Sequence, residues 1–215
     1  MIKEHLEKPI TLSEIDNLIS PSEVLPDNLP KDILKKYYQS GRYHNEIKSV
    51  ANHAIDYAQN ALHQNHFKVG KAAAIFDIDE TMLSNLDILS EFNFKNTHEV
   101  WQALNSQHTL PTLEPVKDLY NLLLSHNVKI FIITARDEPL RERTVKNLHH
   151  RGYNVYEELF LLPSRDQKDY ANYKAKIREK ITKQGHDIML NIGDQLSDFE
   201  GGYFAKGFYL PNCFY

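Results

Sequence analysis

Three short apolar runs in this chain each stop abruptly at acidic or hydroxylated residues, and that pattern restricts the fold more than any other feature of the sequence. Ala72-Ala73-Ala74-Ile75-Phe76 runs into Asp77-Ile78-Asp79-Glu80-Thr81. Val128 to Ile133, interrupted only by Lys129, ends in Thr134-Ala135-Arg136-Asp137, and Ile188 to Ile192 ends in Gly193-Asp194-Gln195-Leu196-Ser197-Asp198. A continuous apolar run bounded by polar residues reads as a strand covered on both faces. Helical periodicity separates the runs, and strands alternating with helices imply a parallel sheet with right-handed crossovers. In such sheets ligands bind outside the carboxyl ends of the strands, which is where Asp77 and Asp79 fall.

Two carboxylates one residue apart repel each other by about 4 kcal/mol at ~4 Å and an effective dielectric of ~20, so a cation is expected nearby. The stretch from Tyr170 to about Lys183 has helical spacing, with Tyr170, Lys174, Ile177 and Ile181 on one stripe. A lysine on an inward stripe can snorkel its ammonium to the surface; beside acidic strand ends it reads better as their counter-charge.

An Asp-x-Asp-x-Thr motif, a strand-end threonine, a helical lysine and a Gly-Asp-x-x-x-Asp loop, in that order, resemble the four motifs of the haloacid dehalogenase-like hydrolases. Longer strings are similar to the class B acid phosphatase and vegetative-storage-protein branch: Phe76-Asp77-Ile78-Asp79-Glu80-Thr81 with Leu83-Ser84-Asn85, Ile132-Ile133-Thr134-Ala135-Arg136, Asn191-Ile192-Gly193-Asp194-Gln195, and Leu210-Pro211-Asn212. The resemblance covers about Tyr43 to the C-terminus. It implies a Rossmann-like α/β sheet flanked by helices, and a phosphatase in which Asp77 is the nucleophile that forms an aspartyl-phosphate. Asp79 is then the general acid and base, while Thr134 and Lys174 stabilise the transferring group. Mg²⁺, a hard cation that takes oxygen ligands, suits Asp77, the backbone carbonyl of Asp79, and Asp194, with Asp198 behind them holding metal waters or Lys174. Arg136 has two readings, orienting a group at the site or forming a surface ion pair.

The same resemblance leaves three functions open: a phosphomonoesterase, a phosphotransferase to an alcohol, and a catalytically silent storage or binding protein. Some storage proteins of the branch lack the first acidic residue; this chain keeps Asp77, which favours an enzyme. Ala135 stands where many relatives have Gly, and Cys213-Phe214-Tyr215 departs from their usual ending.

At 215 residues the chain suits one catalytic domain with a small accessory lobe. A net charge of −4 and the lack of a Lys/Arg block argue against a nucleic-acid polymer as partner. The expected partner is a small phosphorylated substrate, a nucleotide among the candidates, with the oligomeric state left open. Cys213, the single cysteine, reads as a bystander. The first residues, Met1-Ile2-Lys3-Glu4-His5-Leu6-Glu7, lack the apolar core of a secretory signal, and no run is long enough for a bilayer. The expectation is a cytoplasmic protein without membrane association, or a periplasmic or secreted one if a signal has been removed.

The expected organisation is an irregular segment over 1–30 with a helical candidate at Ser13–Ile19, a helical extension over 31–70, and a catalytic domain over 71–215 with a helical insert at 82–127. Helices are expected at Lys31–Ser40, Tyr43–Asn65, Thr97–Asn105, Thr112–His126 and Pro139–Arg151, and a further strand at Glu158–Leu162. Phe92, Phe94 and Trp101 of the insert have two readings, a stacking surface for a nucleobase or, more readily, closure of a small core. No histidine has a ligand-like pattern.

Overall fold

Five consecutive apolar residues, Ala72–Phe76 (β1), are all buried: neighbouring strands flank them on both edges and a core packs on each face. Lys129–Asp137 (β2) and Asp187–Gly193 (β4) pair with β1 in parallel, and Glu158–Leu162 (β3) and Lys206–Tyr209 (β5) complete the sheet in the order β3-β2-β1-β4-β5. The computed structural model describes residues 30–68, 70–94, 97, 100, 109–164 and 169–214. The helices are Lys31–Gln39 (α1), Arg42–His63 (α2), Leu86–Glu91 (α3), Glu114–Ser125 (α4), Arg141–His150 (α5) and Tyr170–Lys183 (α6). Short 3₁₀ turns occupy Glu138–Leu140 and Leu196–Asp198. The expected α/β architecture is therefore present: a parallel Rossmann-like sheet flanked by helices, with a helical N-terminal region.

The period-two alternation of a strand sorts β1 between two layers. Ala72, Ala74 and Phe76 join the larger core with the alanine stripe of α2 (Ala51, Ala54, Ala58) and with Val116, Leu119 and Leu123 of α4. Ala73 and Ile75 join Ile181 of α6 and Phe199 on the opposite face. The register of β4 shifts between Ala73↔Ile188 and Ala74↔Leu190, which skips Met189. This bulge resets the alternation, so Ile188 faces α6 while Leu190 and Ile192 face the larger core. It also puts Asn191 and Gly193 on the α6 side, beneath the loop that carries Asp198.

The second bulge corrects a boundary. The apolar run suggests a strand ending at Ile133, but β2 continues to Asp137, with Ile133 opposite Phe160 and Asp137 opposite Leu162. β2 thus places three residues, Thr134, Ala135 and Arg136, where β3 has one, Leu161. A bulge of this kind re-aims side chains, here at the carboxyl edge of the sheet.

Phe94 stacks on Phe214 with ring centroids 5.3 Å apart, and Phe92 packs against the same core, so both rings close the interior rather than line a cavity. Trp101, the Ser13–Ile19 candidate and most of the Thr97–Asn105 candidate lie outside the described residues. Among the described residues no helix is long and apolar enough to cross a membrane.

Candidate active site

The last rung of β1 is the hydrogen bond from Asp77 N to Ile192 O at 3.1 Å, after which the chain turns back on itself. The Ile78 carbonyl accepts from the backbone N–H groups of Thr81, Met82 and Leu83 at 3.2, 2.9 and 2.9 Å. Glu80 enables the turn by taking the left-handed region at φ 50°, a conformation that costs a non-glycine residue about 1–2 kcal/mol. Its fully buried carboxylate offsets that cost by accepting from Asn85 N at 2.5 Å and Asn85 Nδ2 at 3.0 Å. The turn leaves Asp77 and Asp79 on the wall of a cavity of about 490 Å³.

Lys174 enters from α6, where burial falls on Lys174, Arg178 and Ile181; Tyr170 of the anticipated stripe is 41% exposed. The Lys174 ammonium donates to Asp77 Oδ1 at 2.7 Å and to Asp198 Oδ1 at shorter range. All three side chains are buried. Burial opposes the charge on Lys174, but Asp198 and Asp77 outweigh it and hold the ammonium above its usual range. Burial likewise pushes the Asp77 carboxyl well up; Lys174 pulls it down, and Asp198, Asp194 and Asp79 push it up again.

Asp194, at the end of β4, is held from three segments. Thr81 Oγ1 donates to its Oδ1 at 3.2 Å, and Asn212 Nδ2 and Gln195 Nε2 donate to its Oδ2 at 2.7 and 3.1 Å. Burial, with the charges of Asp198 and Glu80, nonetheless pushes its carboxyl up to about 8.

Arg136 forms a two-pronged pair at the cavity wall: its Nε and Nη2 donate to Asp79 Oδ2 and Oδ1 at 2.9 and 2.7 Å. Asn85 Nδ2 adds a bond to Asp79 Oδ1 at 2.8 Å. Burial pushes Asp79 up, but Arg136 and Asn85 together outweigh it and hold the carboxyl below its ordinary range. Thr134 is fully buried and accepts from Arg136 N at 3.2 Å, which leaves its own hydroxyl proton available for donation. Asp77, Asp79, Arg136, Lys174 and Asp194 all line the cavity; Thr134 and Asp198 do not, although Asp198 touches Lys174 and Thr134 adjoins the lining residue Ala135.

Several supporting residues have partners that the sequence does not show. Arg178, one turn beyond Lys174 on α6, is fully buried, and burial brings its guanidinium down to about 10. It donates to the carbonyls of Gly202 at 2.7 Å and Asp198 at 2.5 Å, and to that of Glu200. Asn191 Nδ2 adds a bond to Asp198 O at 2.6 Å. The loop after β4 is thus pinned by side chains rather than by a ladder. Gly193 has a steric role: a Cβ there would meet Asp198 Oδ2 at 2.2 Å, so any larger residue displaces the carboxylate that holds Lys174. We expect Arg178→Met to take this donor from the Gly202 and Glu200 carbonyls, leaving Asp198 O with Asn191 alone, and to cost about 3 kcal/mol or more. A urea midpoint unchanged from the parent protein would show that the brace is dispensable.

The donor set fits a divalent metal. Asp77, Asp194 and Asp198 each offer a carboxylate oxygen, and these oxygens lie within 4.8 Å of one another. Taken with Asp79, four carboxylates face two cations, Lys174 and Arg136. That imbalance, and the upward push on Asp77 and Asp194, are what a hard divalent cation would relieve.

Comparison with known proteins agrees with this geometry. A family model described as HAD superfamily, subfamily IIIB (acid phosphatase), matches residues 7–215. The chain is 32% identical over 206 residues to acid phosphatase 1 of Solanum lycopersicum, covering 93% of this chain and 78% of that protein. It is 30% identical to vegetative storage protein 1 of Arabidopsis thaliana, covering 94% and 75%. The crystal structure of a class C acid phosphatase from Bacillus anthracis with tungstate bound shares the fold, with a TM-score of 0.65 and 22% identity over 86% of this chain and 84% of that one. The chain belongs to subfamily IIIB of the haloacid dehalogenase superfamily, as an acid phosphatase-like hydrolase.

Proposed function

We propose that the protein is a Mg²⁺-dependent acid phosphatase that hydrolyses small phosphomonoesters through an aspartyl-phosphate on Asp77. The observation that carries this reading is the buried Lys174 bridge: it supplies a counter-charge to a carboxylate, Asp77, that faces an open cavity. The Asp77 carboxylate attacks phosphorus, an Asp77 O–P bond forms and the ester P–O bond breaks, and the leaving oxygen takes a proton from Asp79. Asp79 then removes a proton from water, whose oxygen attacks phosphorus and releases phosphate with the Asp77 carboxylate restored. Lys174 neutralises nucleophile and phosphoryl oxygens throughout, and the Thr134 hydroxyl donates to those oxygens. Asp77, Asp194 and the Asp79 carbonyl would hold Mg²⁺, which supplies the positive charge that lets an anionic nucleophile meet an anionic ester.

The Arg136 pair sets the protonation of Asp79. Held below its usual range, Asp79 is ready as a base, and its acid form grows as pH falls. The supply of protonated Asp79 for the leaving oxygen therefore rises in acid.

Removal of the metal tests the reading. A panel of phosphomonoesters assayed in EDTA should show no turnover, Mg²⁺ should restore it, and added alcohol should reveal any transfer as a phosphorylated alcohol. Stability gives a second readout. Because Asp77 and Asp194 carry raised folded-state values, the folded metal-free protein binds protons more tightly than the unfolded chain. The stability that these two groups contribute is thus fullest below the ordinary carboxyl range and is lost as pH rises through about 8. Mg²⁺ should raise the melting temperature most at that upper end. Full turnover in a metal-free sample, or a melting temperature indifferent to Mg²⁺ at about pH 8, would contradict the proposal.

A further inference from the structure

The cavity above Asp77, about 490 Å³, is much larger than a phosphoryl group requires. At ~30 Å³ per water, a group of five heavy atoms takes on the order of 100–150 Å³. The remaining space is walled by Leu162, Tyr170 and one face of the 3₁₀ turn and α5, where Leu140, Arg143 and Asn147 follow at helical spacing. This region has room for the part of a phosphomonoester that leaves.

Arg143 differs from every other arginine among the described residues. Arg42 and Arg141 pair with Glu46 and Glu138, and Arg136 pairs with Asp79. Arg151 donates to the carbonyls of Leu110 and Thr109, and Arg178 to the loop carbonyls. Arg143 is half-buried against the cavity with neither a carboxylate nor a carbonyl bonded to it, although Asp137 also reaches the cavity wall. A guanidinium presents a fixed fork of donors that matches a carboxylate or a phosphate, and among the described residues nothing accepts from this fork.

We infer that Arg143 is a specificity residue that binds a second oxyanion, a carboxylate or another phosphate, on the leaving portion of the substrate. The inference rests on the phosphomonoesterase reading and names its substrate class: doubly anionic phosphomonoesters. The apolar and aromatic wall of Leu140, Leu162 and Tyr170 accommodates the carbon skeleton between the two anions.

Calorimetric binding of non-hydrolysable phosphonates to the Mg²⁺-loaded protein separates this from the turnover question. Phosphonopropionate and phosphonohexanoate provide a carboxylate at two reaches, alkylene bisphosphonates of the same lengths provide a second phosphate-like group, and plain alkylphosphonates are the references. The best doubly anionic ligand is expected to bind about tenfold more tightly than its plain counterpart. Arg143→Gln should reduce that ratio to about one, and Arg143→Lys should keep part of it. The preferred arm identifies the second group. A ratio near one in the parent protein, absence of binding by every ligand, or a ratio that survives Arg143→Gln overturns the inference. A protein that discriminates among phosphonates but hydrolyses no phosphomonoester would instead overturn the proposed function and leave Arg143 as an anion-binding residue.

Discussion

Asp77→Asn should abolish turnover on every phosphomonoester, by about 10⁴-fold or more, while leaving the fold intact. On the proposed covalent route the loss is large because the neighbouring carboxylates are already engaged: Asp79 by Arg136 and Asn85, and Asp194 by Thr81, Gln195 and Asn212. The fold survives because Asn keeps the shape and one oxygen able to accept from Lys174, and because burial already disfavours the charge on Asp77. The metal-free variant should melt no lower than the parent protein. A variant that retains turnover on aryl phosphates would remove Asp77 from the nucleophile position, and one that unfolds would give it a structural role instead.

Lys174→Met should cost about 10²-fold in turnover, the scale of losing one preorganised electrostatic group. The stem stays, so packing around α6 changes little, but Asp77 and Asp198 lose the ammonium they share. Breaking a buried pair from one side costs about 3–5 kcal/mol when the remaining charge has no outlet. Here there is an outlet, because Asp77 sits among carboxylates that already push it towards its protonated form. The thermal penalty should therefore be largest at high pH without metal and smallest with Mg²⁺ present. Normal turnover in the Met variant would reduce Lys174 to a structural ion pair.

What the sequence made legible follows from how local each signal is. The three apolar runs with polar ends contain their own strand geometry, and β3 and α6 fall at Glu158–Leu162 and Tyr170–Lys183 as the periodicity suggests. The strand ends gather Asp77, Asp79 and Asp194 because a parallel sheet aligns its carboxyl edges. The supports were not legible. Thr81 and Asp194 are separated by 113 positions, and nothing near either one announces the other. Arg178 lies 20 to 24 positions from the carbonyls it braces, so its role shows only once the loop is in view. β5 is a strand of four residues containing Gly207, too short to show a period, and α3 is a helix of six. The β2 bulge is invisible because β-branched and small residues continue through Thr134 and Ala135 without a break.

Asp194 draws on Thr81 from the first loop, Gln195 beside it and Asn212 from the final segment, while Lys174 spans 97 positions to reach Asp77. Such contacts close only after long stretches of chain have been ordered, each at a loop-closure cost. Helices and individual strands can form without them; the acidic cluster cannot. A partly folded or newly synthesised chain is thus chemically silent even when most of its secondary structure is in place. On the proposed chemistry, hydrolysis waits for these elements to dock.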